Sequence, residues 1–158
     1  NGFGRIGRVF FRSVYNHSNI EVIAINDLAD VTTMAHLLKY DSVHGQFNAH
    51  ICTNEANLIV DEKSILYSSI AQPTQHSWKE LDIDVVIEAT GLFRTAESAQ
   101  AHLTAGAKKV VVTSPPEDDS IPTVVMGINE RILSGDEQII SNASCTTNCS
   151  APLVQLID

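Results

Sequence analysis

Gly2-Phe3-Gly4-Arg5-Ile6-Gly7 opens the chain as a G-x-G-x-x-G and leads straight into Arg8-Val9-Phe10-Phe11-Arg12-Ser13-Val14. From Arg5 to His17 the apolar residues Ile6, Val9, Phe10 and Val14 recur at spacings of three and four, which predicts an amphipathic helix starting at the last glycines. Glycines in that turn let the backbone bend sharply and come close to a pyrophosphate, while a helix N-terminus offers N–H groups and partial positive charge. Glu21-Val22-Ile23-Ala24-Ile25-Asn26 is a β-branched run and reads as a strand. Asp27 follows it, 20 residues after Gly7, where a carboxylate can accept from both hydroxyls of an adenosine ribose and would repel a 2′-phosphate. This spacing favours NAD over NADP. Glycine-rich turns also occur simply to change chain direction, and the strand expected ahead of the glycines is absent from the sequence.

Working outward, Asp30 is placed to cap a second helix through Met34, Leu37 and Leu38 to about Tyr40. Short runs at Ala49–Thr53, Leu58–Val60 and Ile65–Tyr67, separated by Asn and Asp, suggest a small antiparallel insertion. A helical turn is expected at Ser77–Leu81, then a strand at Val85-Val86-Ile87. A helix from Thr95 to Ala105 follows, ended by Gly106 in a left-handed conformation. Val110–Val112, Thr123–Met126 and Gln138–Ser141 are short apolar strands, and a last helix runs from Thr146 or Thr147 to Asp158, with Pro152 early in it. The alternation predicts an α/β fold, a Rossmann-like doubly wound parallel sheet with helices on both faces, its first strand missing and a small antiparallel insertion added.

Ten Lys+Arg against 19 Asp+Glu give a charge of −9, which argues against nucleic acid or an anionic membrane as partner because both require clustered cations. No run reaches the ~18 apolar residues of a membrane helix. The three cysteines, Cys52, Cys145 and Cys149, form no even-numbered framework, so reduced thiols in the cytoplasm are expected.

Ser141-Asn142-Ala143-Ser144-Cys145-Thr146-Thr147-Asn148-Cys149 joins the last strand to the last helix. A thiolate suits a helix start, where the N–H groups and dipole stabilise negative charge. Ser144 and Thr146 add hydroxyls beside Cys145 that could bind an anion. The plainer alternative makes Ser144 a cap and Cys145 a small buried hydrophobe. Cys149, one turn on, is expected to be an ordinary buried residue. No metal site is expected, since the two cysteines lack the C-x-x-C form and no histidine completes a set. His17 ends a helix, and His36, His44, His50, His76 and His102 sit in polar or helical surroundings, none an evident general base.

With Asn1-Gly2-Phe3-Gly4-Arg5-Ile6-Gly7-Arg8, Asn26-Asp27, Lys39-Tyr40-Asp41-Ser42-Val43-His44-Gly45, Ala89-Thr90-Gly91-Leu92-Phe93, Met126-Gly127-Ile128-Asn129 and Ala143-Ser144-Cys145-Thr146-Thr147-Asn148 in this order, the chain closely resembles glyceraldehyde-3-phosphate dehydrogenases over essentially its whole length. The resemblance implies that the Cys145 thiolate attacks glyceraldehyde 3-phosphate, that NAD takes the hydride, and that inorganic phosphate cleaves the thioester to 1,3-bisphosphoglycerate. It further implies that the turn at Gly4 and the backbone of Arg5 and Ile6 meet the pyrophosphate and that Asp27 meets the adenosine ribose. Phe93 would cover the adenine, Thr113 with Asn26 would line the neighbouring cofactor surface, and Ser144 and Thr146 would bind phosphate. On this reading residues 1–158 are an NAD-binding domain incomplete at both ends, and the catalytic domain, with the family's histidine base, lies beyond Asp158. The full-length parent is expected to be a cytoplasmic homotetramer. Similar chemistry belongs to erythrose-4-phosphate dehydrogenases, which often carry Glu where this chain has Asp27. A non-catalytic NAD-binding fragment and a thiol redox sensor built on Cys145 are further alternatives.

Overall fold

The glycine turn runs directly into a helix, α1 (Arg5–Val14), in a computed structural model that describes residues 1–157. Gly4 is its N-cap in extended conformation, without a side chain to close the first turn, and Gly7, Phe11 and Val14 form its buried face. Helical geometry stops at Val14, earlier than the expected His17. Two units are distinguished, Asn1–Gln72 and the part from Pro73 onward.

In the first unit β1 (Ala24–Asn26) is shorter than the predicted strand, because the flanking Glu21 and Ile23 face solvent. Next comes α2 (Val31–Lys39), capped as expected by Asp30, whose carboxylate accepts from Thr33 N at 2.8 Å. A tight antiparallel pair, β2 (Tyr40–Asp41) and β3 (Gly45–Gln46), leads to β4 (Ile51–Thr53), β5 (Asn57–Val60) and β6 (Lys63–Ser68). The main sheet has the order β1-β6-β5-β4. β1 pairs parallel to β6, with Ile25 opposite Tyr67, and the other two ladders are antiparallel, which is the anticipated insertion. Phe3, Phe11, Leu38, Leu58 and Val60 fill the core between sheet and helices. Each such side chain contributes roughly 1.5–3 kcal/mol on burial. Phe11 meets Phe3 and Phe47 edge-on, at 5.8 and 6.3 Å, and Arg12 lies over Phe47 while donating to the carbonyl of Leu38.

The second unit carries β7 (Val85–Glu88), α3 (Ala96–Thr104), β8 (Lys109–Val112), β9 (Ile139–Ser141) and α4 (Cys145–Ile157). The strands lie in the order β7-β8-β9, both ladders parallel, with Val86 opposite Val110 and Val110 opposite Ile139. Val110 and Val112 are fully buried and pack with Ala99 and Ile121. Thr95 caps α3 reciprocally with Ser98, and Gly106 ends it at φ +108°, as anticipated. A Cβ at Gly106 would stand 2.4 Å from Lys79 Cβ and 2.6 Å from its nitrogen, so both conformation and space require glycine.

The fold class is therefore α/β with parallel strands, its parallel ladders lying in two sheets, one in each unit. Other local expectations are refined, the helical turn at Ser77–Leu81 being present. Thr123–Met126 is not a strand: only Thr123 bridges Ser141, because Asn129 accepts from Val125 N at 2.7 Å and donates to Thr123 O, turning the chain out of the ladder. The helical turn near Ser77 is a single bond, Leu81 N to Ser77 O, preceded by a 3-10 turn at Pro73–Gln75. The last helix begins at Cys145 itself, one or two residues early, which puts Pro152 inside it.

Candidate cofactor and thiol sites

In the first unit the glycine turn is pinned to the carboxyl end of β1. Gly2 N donates to Asn26 O at 2.8 Å, and Phe3 N donates to Asp27 Oδ2 at 2.7 Å. These bonds bring Gly4, Arg5, Ile6, Asn26 and Asp27 together. A Cβ at Gly7 would lie 2.2 Å from Gly2 O, so this glycine sets how closely helix and turn approach. At Gly4 nothing lies within 4 Å of where a Cβ would stand, leaving that face of the turn open. The first bond of the helix is Arg8 N to Gly4 O, so the N–H groups of Arg5 and Ile6 precede the helix's own ladder. A pyrophosphate fits that combination of open backbone and oriented donors.

The side chains divide the work. Arg5 turns to Asp41, 3.2 Å away, so its contribution to the turn is its backbone. Donation from His44 N and Val43 N, with Arg5 nearby, holds the Asp41 carboxyl at about 2. Ile6 is 52% exposed on the first turn of α1. Asp27 accepts one backbone N–H on each oxygen, from Phe3 and from Ala29, and the remaining lone pairs can accept hydroxyls. Asn26 is buried and saturated: its amide donates to Asn1 Oδ1 and Ile70 O, and its oxygen accepts from Ser68 Oγ and Ile70 N. Its side chain therefore fixes the end of β1.

In the second unit the loop after β7 is organised by a buried carboxylate. Glu88 Oε1 accepts from Thr90 N at 2.8 Å and from the Thr90 hydroxyl, which in turn accepts from Leu92 N. Glu88 Oε2 lies 2.9 Å from His102 Nε2, and His102 Nδ1 accepts from the indole N–H of Trp78 at 3.1 Å. An indole can only donate, so Nδ1 carries no proton and His102 is the neutral tautomer that donates through Nε2. Both carboxyl oxygens of Glu88 thus meet hydrogen-bond partners, as a buried polar group requires. Thr113 reaches the same strand end, donating from both its nitrogen and its hydroxyl to Glu88 O. Phe93 is half-buried and sets its ring edge-on to His102 at 6.1 Å. His76 stacks on Trp78 at 4.3 Å, and desolvation by burial lowers its pKa to about 4.

Sequence reading missed this group. His76 and His102 are buried rather than in polar surroundings, and Glu88 is 1% exposed. One signal was available, a carboxylate continuing the apolar strand Val85–Ile87, since such a group needs a partner.

Cys145 is exposed at the first position of α4, with its sulfur 4.0 Å from Thr146 Oγ1. Ser144 Oγ accepts from Thr147 N at 2.9 Å and lies 2.7 Å from Thr147 Oγ1, so the expected cap is made and the hydroxyl is already engaged. Cys149, expected to be buried, is exposed. The expectation came from the average habit of cysteine, whereas α4 has no buried residue among those described and its Leu153 and Val154 are also open. Among the described residues there is no group of three or more His, Cys, Asp or Glu able to hold a metal, and no helix long and apolar enough to cross a membrane.

The family profile described as "Glyceraldehyde 3-phosphate dehydrogenase, NAD binding domain" matches residues 1–96. The chain is 54% identical over 158 residues to glyceraldehyde-3-phosphate dehydrogenase of Buchnera aphidicola subsp. Schizaphis graminum, covering 100% of this chain and 47% of that protein. Identity is 51% to glyceraldehyde-3-phosphate dehydrogenase A of Escherichia coli K12 and 49% to the cytosolic enzyme of Trypanosoma brucei brucei, each with 100% of this chain and 47% of the relative. The chain thus spans about half the length of the curated relatives it matches. The pinned glycine turn, the carboxylate after β1 and these matches agree: the chain belongs to the glyceraldehyde-3-phosphate dehydrogenase family and carries its NAD-binding domain.

Proposed function

We propose that the protein containing this chain oxidises glyceraldehyde 3-phosphate with NAD and inorganic phosphate to 1,3-bisphosphoglycerate, a glycolytic reaction, with Cys145 as nucleophile and residues 1–158 as its NAD-binding part. The observation that carries this is an exposed cysteine at the first position of the helix after a parallel strand, in a chain whose glycine turn fits a pyrophosphate.

The Cys145 thiolate attacks the aldehyde carbon and forms a hemithioacetal. Loss of the carbon-bound hydrogen as hydride, with the hydroxyl proton passing to a base, converts this to a thioester on Cys145. NAD, when bound, supplies the acceptor for that hydride. An oxygen of inorganic phosphate then attacks the thioester carbonyl, the C–S bond breaks, and Cys145 leaves as thiolate with the acyl phosphate released.

The backbone of Gly4, Arg5 and Ile6 holds the pyrophosphate, and Asp27 accepts from the ribose hydroxyls. Phe93 and Thr113 in the second unit and Asn26 in the first are the further cofactor contacts of this reading, Phe93 for the adenine. Thr146 offers its hydroxyl to the attacking phosphate; Ser144 assists mainly by capping α4, since its hydroxyl is engaged with Thr147. The family membership and the cytosolic relative support a cytoplasmic homotetramer for the whole protein.

Initial rates of NAD reduction by the whole gene product test the reading. Turnover should require inorganic phosphate, prefer glyceraldehyde 3-phosphate to erythrose 4-phosphate, and vanish in Cys145→Ser. Preference for the four-carbon aldehyde, or turnover in Cys145→Ser, would reject it.

A further inference from the structure

The loop that delivers Cys145 is bent more sharply than its residues favour. Ala143 is buried at φ +59°, a left-handed conformation that a residue with a Cβ rarely adopts. Such a bend persists only where neighbouring bonds enforce it. Two of these bonds come from β9 and its flank: Ala143 N donates to Ser141 Oγ at 3.1 Å, and Asn142 N donates to Val112 O at 2.9 Å. Ser141 is itself fully buried and donates to Ser114 O at 2.8 Å.

The remaining bonds come from one side chain within the helix. Asn148 Nδ2 donates to Asn142 O at 2.8 Å and to Ser144 O at 3.0 Å, one hydrogen to each. Asn148 N also donates to Ser144 O at 3.0 Å as the opening bond of α4. The amide therefore spans the bend, gripping the carbonyl on either side of Ala143 and tying both to the first turn of the helix. Those carbonyls flank the residue pair ahead of Cys145, and their lone pairs would disfavour a thiolate if left pointing at it. Engaged by Asn148, both carbonyls accept from the amide instead.

We infer that Asn148 is a positioning residue for the Cys145 thiolate, acting by clamping the carbonyls of Asn142 and Ser144 around the left-handed Ala143. This rests on the reading of Cys145 as nucleophile, but its physical content is the state of the thiol in the absence of any substrate. Alanine at this position removes both donors without adding charge. Serine keeps one short donor. No residue of α4 is buried among those described, so neither change removes core packing.

The test is the rate of iodoacetamide alkylation of Cys145, read by peptide mapping across pH on the whole gene product without NAD or aldehyde. Asn148→Ala should slow Cys145 by about tenfold at neutral pH, the change that one pKa unit of lost thiolate stabilisation gives, and move its pH profile to the alkaline side. Asn148→Ser should fall between Asn148→Ala and the parent, and Cys52 and Cys149 should keep their rates. With aldehyde and NAD present, kcat should fall while KM for NAD holds. An unchanged Cys145 profile in Asn148→Ala would overturn the inference, as would equal slowing of all three cysteines, which would mean general loosening. The two readings fail separately: if Cys145→Ser still turns over while Asn148→Ala slows alkylation, the proposed chemistry is wrong and the clamp stands.

Discussion

Replacing His102 by Phe should destabilise the second unit by about 3 kcal/mol. His102 is fully buried, so the perturbation is confined to what the ring contacts. Phenylalanine keeps the edge contact with Phe93 and most of the volume. It removes the Nε2–H that donates to Glu88 and the Nδ1 that accepts from Trp78. Leaving the buried indole N–H without a partner costs about 1–3 kcal/mol, and leaving Glu88 Oε2 without its donor costs about as much again. The Glu88 loss is softened because both Thr90 donors remain. Against a typical stability of 5–15 kcal/mol, a change of this size is easily measured. Urea unfolding followed by the emission of Trp78, the sole tryptophan of the chain, reports on this cluster directly. Since Glu88 also orders Thr90 and Leu92, KM for NAD should rise. A midpoint shift equivalent to less than ~1 kcal/mol would refute the assignment of His102 as the donor that makes the buried Glu88 tolerable.

Gly7→Ala forces a Cβ to within 2.2 Å of Gly2 O, so α1 and the turn must separate and NAD affinity should fall at least tenfold, measured by titration calorimetry. Asp27→Asn exchanges one acceptor oxygen for a donor facing Phe3 N or Ala29 N, so it should weaken NAD binding and narrow the preference over NADP, as measured by the ratio of kcat/KM values. His76, held near 4 against an ordinary value of 6.5, stays neutral in the folded state while the unfolded chain takes up its proton. Its contribution to stability is present above pH 6.5 and is lost as pH falls from there towards about 4, a slope that His76→Phe should remove in urea titrations at several pH values.

The parts of this chain that could be read from sequence are those set by neighbours in sequence. The turn into α1, the Asp30 cap, the Thr95 to Gly106 helix and the cysteine at a helix start each depend on residues a few positions apart. The Glu88–His102–Trp78 group depends on separations of 14 and 24 residues and on which face of α3 meets the strand, which no local pattern encodes. Asn129 stopped the strand expected at Thr123–Met126 by taking a ladder donor with its side chain, a competition that residue type alone does not decide. Cys149 was misread because burial habits of a residue type say little about a helix none of whose described residues is buried. The clamp by Asn148 was equally invisible, since it matters only once Ala143 is known to be left-handed.

The most direct test of Cys145 as the acyl carrier is to mix the whole gene product with glyceraldehyde 3-phosphate and NAD while withholding inorganic phosphate, then map the acylated peptide by mass. The expected result is one NADH formed per site in a burst, with the three-carbon acyl group on Cys145 and its release on adding phosphate. An absent burst, or an acyl group found on Cys149 instead, would contradict it.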